Sequence, residues 1–325
     1  MLAFLLRRVS QSALVMVVMA TLVFVGVYAI GNPIDILISP DADQIERERA
    51  IERLGLDRPL WLQFWLFLQA ALTGDLGRSF VHGVPALDLI VSRMPATLEL
   101  ALVALVLAVG LGIPLGLLAG LKPQSMLGRA IMTGSIVGFS LPNFWLGLML
   151  ILLFAVELAI LPAGGRGETR SVFGIECSLI TLDGLRHLLL PALTLAIYKA
   201  SLVIRLVQAS TREALLQDFV RFARAKGLRP IRIIGVHVLK VILIPVVTVV
   251  GLELGSMIAF AVVTETVFAW PGMGKLLIDS IYRLDRPVIV AYLIVIVAMF
   301  VVINLIVDLL YTMLDPRVRL GERGT

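Results

Sequence analysis

Leu98-Glu-Leu-Ala-Leu-Val-Ala-Leu-Val-Leu-Ala-Val-Gly-Leu-Gly-Ile-Pro-Leu-Gly-Leu-Leu-Ala-Gly-Leu121 decides the fold of this 325-residue chain. No charged residue follows Glu99 before the stretch ends. Its apolar residues neither alternate nor gather on one helical face, so a half-buried strand and an amphipathic surface helix are both excluded. About 20 apolar residues in a row cross the hydrocarbon core of a bilayer as a helix, which bonds its own backbone groups where water is absent.

Five more blocks have the same character, over residues 9–30, 131–160, 188–207, 241–268 and 288–314. The chain therefore reads as an all-α, polytopic integral membrane protein with six transmembrane helices in a single domain over residues 1–325. Composition agrees: 59% of residues are hydrophobic, 16% are charged and mean hydropathy is +0.99. A water-soluble fold carries roughly 45–50% apolar and ~25% charged residues and has nowhere to hide the excess. The first block follows Arg7 and Arg8, exceeds a signal peptide's h-region, and is followed by Gly31-Asn-Pro33, which offers no small-x-small cleavage site, so it reads as an uncleaved helix.

The net charge of +5 follows membrane topology rather than nucleic-acid binding, because the cations sit between alternate spans. Lys122 and Arg129 share one turn, the run from Arg205 to Lys240 holds Arg212, Arg221, Arg224, Lys226, Arg229 and Arg232, and the tail holds Arg317, Arg319 and Arg323. The positive-inside rule then places both termini in the cytoplasm. Residues 31–96 form an extracytoplasmic excursion, with a charged stretch over 45–53 that reads as a short solvated helix. Trp61, Phe64, Trp65 and Phe67 follow it at helical spacing. Two readings stand for these aromatics, interface anchoring and solute contact.

Catalytic and cofactor chemistry find no foothold. The single Cys177 excludes an intrachain disulfide and a cysteine metal site, while His82, His187 and His237 lie far apart. Pro271-Gly-Met-Gly-Lys275 is the nearest approach to a phosphate-binding loop, but it lacks the hydroxyl residue after the lysine. The chain is expected to have no catalytic residues, no metal site and no ATPase site.

The run over 210–240 is punctuated more heavily than a passive connection needs. Ser210 and Glu213 have capping-box spacing, Asp218 is placed to cap a second short helix, Gly227 suits its left-handed C-terminal position, and Pro230 stops continuation. Helical spacing puts Phe219, Phe222 and Ala223 on one face, with Arg221 and Arg224 elsewhere. A small apolar knob with basic flanks fits a groove on a partner protein, and it also fits a lipid-facing anchor.

Ala223-Arg-Ala-Lys-Gly-Leu228, with His237-Val-Leu-Lys240 beginning ten residues after Gly227, resembles the cytoplasmic EAA loop of binding-protein-dependent ABC importer permeases of the dipeptide and oligopeptide branch. Arg221 stands where that motif carries its naming glutamate. Leu54-Gly-Leu-Asp-Arg-Pro59, Gly74-Asp-Leu-Gly-Arg-Ser79, Arg93-Met-Pro-Ala-Thr-Leu-Glu-Leu100, Ser140-Leu-Pro-Asn-Phe-Trp-Leu-Gly147 and Thr264-Glu-Thr-Val-Phe-Ala-Trp-Pro-Gly-Met-Gly274 are similar to further signatures of the branch, in its order. The resemblance implies a type I importer permease in the bacterial cytoplasmic membrane. Its implied partners are a second permease, two ATPase subunits that bind ATP and magnesium, and an extracytoplasmic solute-binding protein. Phe219, Arg221, Phe222, Ala223, Arg224, Ala225, Lys226, Gly227 and His237 would form the coupling helix and its support. Peptides are the implied solute, with nickel, glutathione and glycosides as alternatives within the branch. A stand-alone ion-coupled carrier or membrane-embedded enzyme is the alternative from another class, although no inverted repeat is visible.

Two intramembrane features remain. Gly112, Gly116 and Gly120, and likewise Gly251, Gly255 and Ala259, recur every fourth residue, a spacing that lets helix backbones approach closely. Lys199 and Glu253 fall at membrane depth, where each needs a wet cavity or a partner. A translocation pathway, an internal ion pair and an inter-subunit contact are all open readings.

Overall fold

The computed structural model describes residues 2–29, 44–45, 48 and 57–314. Most of the charged stretch over 45–53 and the tail arginines Arg317, Arg319 and Arg323 lie outside the described residues. Among the described residues the architecture is helical, with one small hairpin. In chain order it comprises α1 (Leu2–Ala29), α2 (Leu60–Thr73), α3 (Ala86–Leu121), α4 (Met126–Ser140), α5 (Asn143–Leu150, continued by a π-helical stretch Ile151–Glu157), β1 (Arg170–Val172) and β2 (Ile175–Cys177). It continues with α6 (Leu182–Leu216), α7 (Asp218–Ala225), a helical turn Pro230–Arg232, a π-helical stretch Ile233–Val238, α8 (Leu239–Val267), α9 (Met273–Tyr282) and α10 (Arg286–Leu314). Among the described residues, four helices are long and apolar enough to cross a membrane, or five if the bent pair α4 and α5 forms one span.

That bend corrects the uninterrupted helix expected over 131–160. Between α4 and α5 the chain turns through 107°. Leu141 is extended at φ −79° and ψ 131°, as a residue preceding proline prefers, and Pro142 has no N–H to continue the ladder. A second correction concerns 205–216. Helix α6 runs unbroken to Leu216, so Arg205, Ser210 and Glu213 belong to a long helix and Ser210 caps nothing. Thr181 caps the start of α6, accepting from Gly184 N at 3.0 Å. Apolar residues at Leu206, Val207, Ala214 and Leu215 carry the helical pattern through the polar segment.

The chain divides into two compact units, residues 1–94 with 275–301 and residues 95–274 with 302–325. In the first, Phe24 of α1 packs edge-on against Phe64 and at a tilt against Phe67 of α2, with ring centroids 5.3 and 5.8 Å apart. Trp61 and Trp65 point outward instead. The loop after α2 is pinned by buried Asp285, which accepts from Ser79 Oγ and, at 3.0 Å, from Phe80 N.

In the second unit α6 is the hub, packed by α3, α4, α5 and α8. The small residues of α3 explain how closely it approaches. A Cβ on Gly112 would lie 2.7 Å from Val203, on Gly116 2.7 Å from the Ile204 carbonyl, and on Gly120 2.6 Å from Thr211. Gly251 meets Val307 of α10 in the same way, at 2.6 Å. Gly255 is buried and Ala259 half-buried on α8.

Candidate functional site

Helix α7 is the most sharply constructed surface element of the second unit. Gln217 occupies the N-cap position in extended backbone, so Asp218 stands in the first turn rather than at the cap. The C-terminus closes as a Schellman motif: Gly227 at φ +73°, its N–H bonded to Arg224 O at 2.9 Å, and Leu228 N bonded to Ala223 O at 3.2 Å. Pro230 then starts the next turn, where its missing N–H costs nothing.

The expected knob is rearranged by the packing. Val220 and Ala223 are buried, and they join Val203, Val207 and Ala214 of α6, Ile233 and Val238 of the π-helical stretch, and Ile242 and Val246 of α8 in one apolar cluster. Phe219 packs partly buried against that cluster, whereas Phe222 is 63% exposed. The two phenylalanines therefore do different jobs: Phe219 with Val220 holds the helix down, and Phe222 projects. Lys226 Nζ sits 4.5 Å from the Phe222 ring centroid, and Arg221 reaches Asp218 at 3.4 Å across exposed surface. Arg224 and Ala225 are exposed, and His237 is half-buried in the π-helical stretch that contacts α7. Sequence reading missed Val220 as the anchor, and missed exposed Leu216 and Ile231 beside the projecting face.

At the opposite end of α6, about 52 Å away for a 35-residue helix, a polar lock holds the β1–β2 hairpin. Glu99 accepts from Arg166 Nη2 at 2.8 Å, Ser178 N at 2.8 Å and Leu179 N at 2.9 Å. Nearby, Thr97 Oγ1 donates to buried Glu265 at 2.7 Å and accepts from Met273 N at 2.8 Å, while Trp270 Nε1 donates to Ala96 O at 2.9 Å. Two of the quoted sequence strings, 93–100 and 264–274, thus meet through hydrogen bonds.

Between these ends lies a line of charge and aromatic rings. Lys199 of α6 pairs with Glu253 of α8, and Ser256 bridges them, accepting from Lys199 Nζ at 2.7 Å and donating to Glu253 Oε2 at 2.8 Å. The side chains of Lys199 and Glu253 remain 14% and 24% exposed. Lys199 Nζ also lies 5.3 Å from the Tyr198 ring centroid; Tyr198 stacks on Phe139 of α4 at 4.8 Å, and the Arg205 guanidinium covers Phe139 at 4.2 Å.

Residues 112–320 match the family described as binding-protein-dependent transport system inner membrane component, and residues 1–101 match the N-terminal region of such membrane components. The chain belongs to this family. It is 36% identical to the dipeptide transport system permease protein DppB of Escherichia coli, over 98% of this chain and 99% of that protein. It is 38% identical to the oligopeptide transport system permease protein AppB of Bacillus subtilis, again over 98% and 99%. Among solved structures, an inward-facing form of the MetNI methionine ABC transporter shares the fold, with a TM-score of 0.57, 18% identity, and 70% of this chain and 97% of that chain covered. The permease is thus a membrane-spanning transport component.

Proposed function

We propose that this permease imports peptides across the bacterial cytoplasmic membrane as part of an ATP-driven complex, with a second permease, two ATPase subunits and an extracytoplasmic binding protein. It crosses the membrane six times with both termini inside, and it hydrolyses no ATP itself. Near-full-length similarity to dipeptide and oligopeptide permeases supports the solute class. The observation that carries the mechanism is the two-sided construction of α7, buried at Val220 and Ala223 and projecting at Phe222.

A helix anchored by packing to both flanking membrane helices moves with them as one body. Phe222 enters an apolar hollow on an ATPase subunit, and Arg221, Arg224 and Lys226 meet its acidic rim. When the ATPases close, the displacement of α7 passes to α6 and α8, which switches access to the pathway. Truncating a central aromatic anchor of an interface costs on the order of 2–4 kcal/mol, and a buried charge in its place costs more. Phe222→Asp is therefore expected to abolish co-purification of the ATPase subunits while leaving the permease pair in the membrane. Retention of stoichiometric ATPase by that variant would refute the docking role. ATP-independent peptide uptake by this chain alone would refute the importer.

A further inference from the structure

We propose that α6 carries a two-cation relay, Lys199 to Arg205, that hands on the carboxylate of a peptide during translocation. The inference rests on the peptide reading above and deepens it by naming the group recognised. Lys199 and Arg205 both lie on the hub helix, six residues and therefore about 9 Å of helix rise apart. Gly138 lets α4 come close enough that a Cβ there would lie 2.7 Å from Ser201 Oγ, and this approach presses Phe139 between Tyr198 and Arg205.

The two cations are matched differently. Lys199 has Glu253 and Ser256. Arg205 rests on a ring face, its Nε is buried without a hydrogen bond, and among the described residues no carboxylate pairs with it. Counting Lys199, Arg205 and Glu253, the line carries one positive charge without a carboxylate partner, toward the end of the span where Arg205 begins the basic run. A solute carboxylate supplies the missing charge. A zwitterionic peptide suits the first station as well, because its carboxylate can take Lys199 while its ammonium takes Glu253, so the pair opens without leaving either charge bare. The stacked faces of Phe139 and Tyr198 between the stations carry no hydrogen-bond donor, and the Tyr198 hydroxyl at the ring edge is the one donor on those rings. Arg205 receives the anion with a planar fork of donors suited to carboxylate.

The native chain has one cysteine, Cys177, which makes a thiol test direct. In a Cys177→Ser background of the assembled complex in vesicles, Arg205→Cys is expected to lower Ala-Ala uptake at least tenfold. Its thiol is expected to react with negatively charged sulfonatoethyl methanethiosulfonate, and saturating Ala-Ala should slow that reaction at least fivefold. Positively charged trimethylammonioethyl methanethiosulfonate should restore uptake to within threefold of the parent, and neutral methyl methanethiosulfonate should not. A thiol closed to aqueous reagents, absence of protection by Ala-Ala, or equal rescue by the neutral reagent overturns the relay; absence of protection with retained reactivity assigns Arg205 to lipid phosphate instead. If Arg205→Cys prevents assembly, Lys199→Cys is subjected to the same reactions with the same outcomes. Failure of the parent complex to import Ala-Ala strikes the peptide reading, whereas normal parent uptake with unprotected thiols strikes the relay alone.

Discussion

Gly227 shows how one residue can terminate a functional element. Its φ of +73° lies in the left-handed region, yet nothing lies within 4 Å of where a Cβ would stand. Gly227→Val therefore acts through the backbone alone and costs on the order of 1–2 kcal/mol. Amide exchange over residues 218–228 is expected to accelerate by about tenfold, since each 1.4 kcal/mol is roughly a factor of ten. Gly235 has equally open surroundings without a positive φ, so Gly235→Ala should leave exchange there unchanged. Thr97 presents the opposite case, a side chain whose chemistry matters more than its volume. Thr97→Val removes a donor to Glu265 and an acceptor for Met273 N at a buried site. A loss on the order of 2–3 kcal/mol is expected, read as a lowered Tm of the purified permease. Thr97→Ser keeps both bonds and should stay close to the parent.

Among the helices, α7 and the contact of α3 with α6 are tightly constrained by packing. Val220 is fully buried and keys α7 into the cluster shared by α6 and α8. Val220→Asp places an unpaired charge there, and α7 should undock. On the proposed mechanism, ATPase activity would persist while peptide uptake falls by more than tenfold; unchanged uptake would count against rigid-body transmission. The α3–α6 contact is equally intolerant of added bulk. Gly116→Leu drives a side chain into the Ile204 carbonyl and Val207, and the clash is with backbone, which cannot rotate away. Loss of folded permease from the membrane is the expected result, measured as the monodisperse fraction after solubilisation.

At the scale of the whole molecule, each compact unit has its own polar fastening. Asp285 fastens the loop 79–81 in the first, and Glu99 with Glu265 fastens the hairpin and the turn before α9 in the second. Several residues of the strings quoted from the sequence are the donors and acceptors of these fastenings. Glu99→Gln weakens the Arg166 contact and should speed limited proteolysis at the hairpin turn, Phe173 and Gly174, which is already exposed but is held in place by this lock. Peptide uptake by the reconstituted complex, with Ala-Ala as the probe, is the measurement on which the transport reading stands.

The sequence by itself determined that this protein is helical and built for a bilayer, because a long block without charge or alternation has only one way to satisfy its backbone in lipid. The same reasoning located the α7 region through Gly227 and Pro230, whose backbone restrictions are local, and the ordered strings placed the chain in its family. Tertiary structure alone decided which face of α7 is free: helical spacing groups Phe219 with Phe222, but only the cluster from α6, the π-helical stretch and α8 shows that Val220 and Phe219 face inward. It also decided that α6 continues through Ser210, since the buried Val207, Ala214 and Val220 outweigh a local capping pattern. The partnership of Lys199 with Glu253, 54 residues apart, belongs to the same class. Pairing between distant residues depends on how helices cross, and crossing is set by small residues such as Gly116 and Gly138 whose effect appears only when their neighbours are in place.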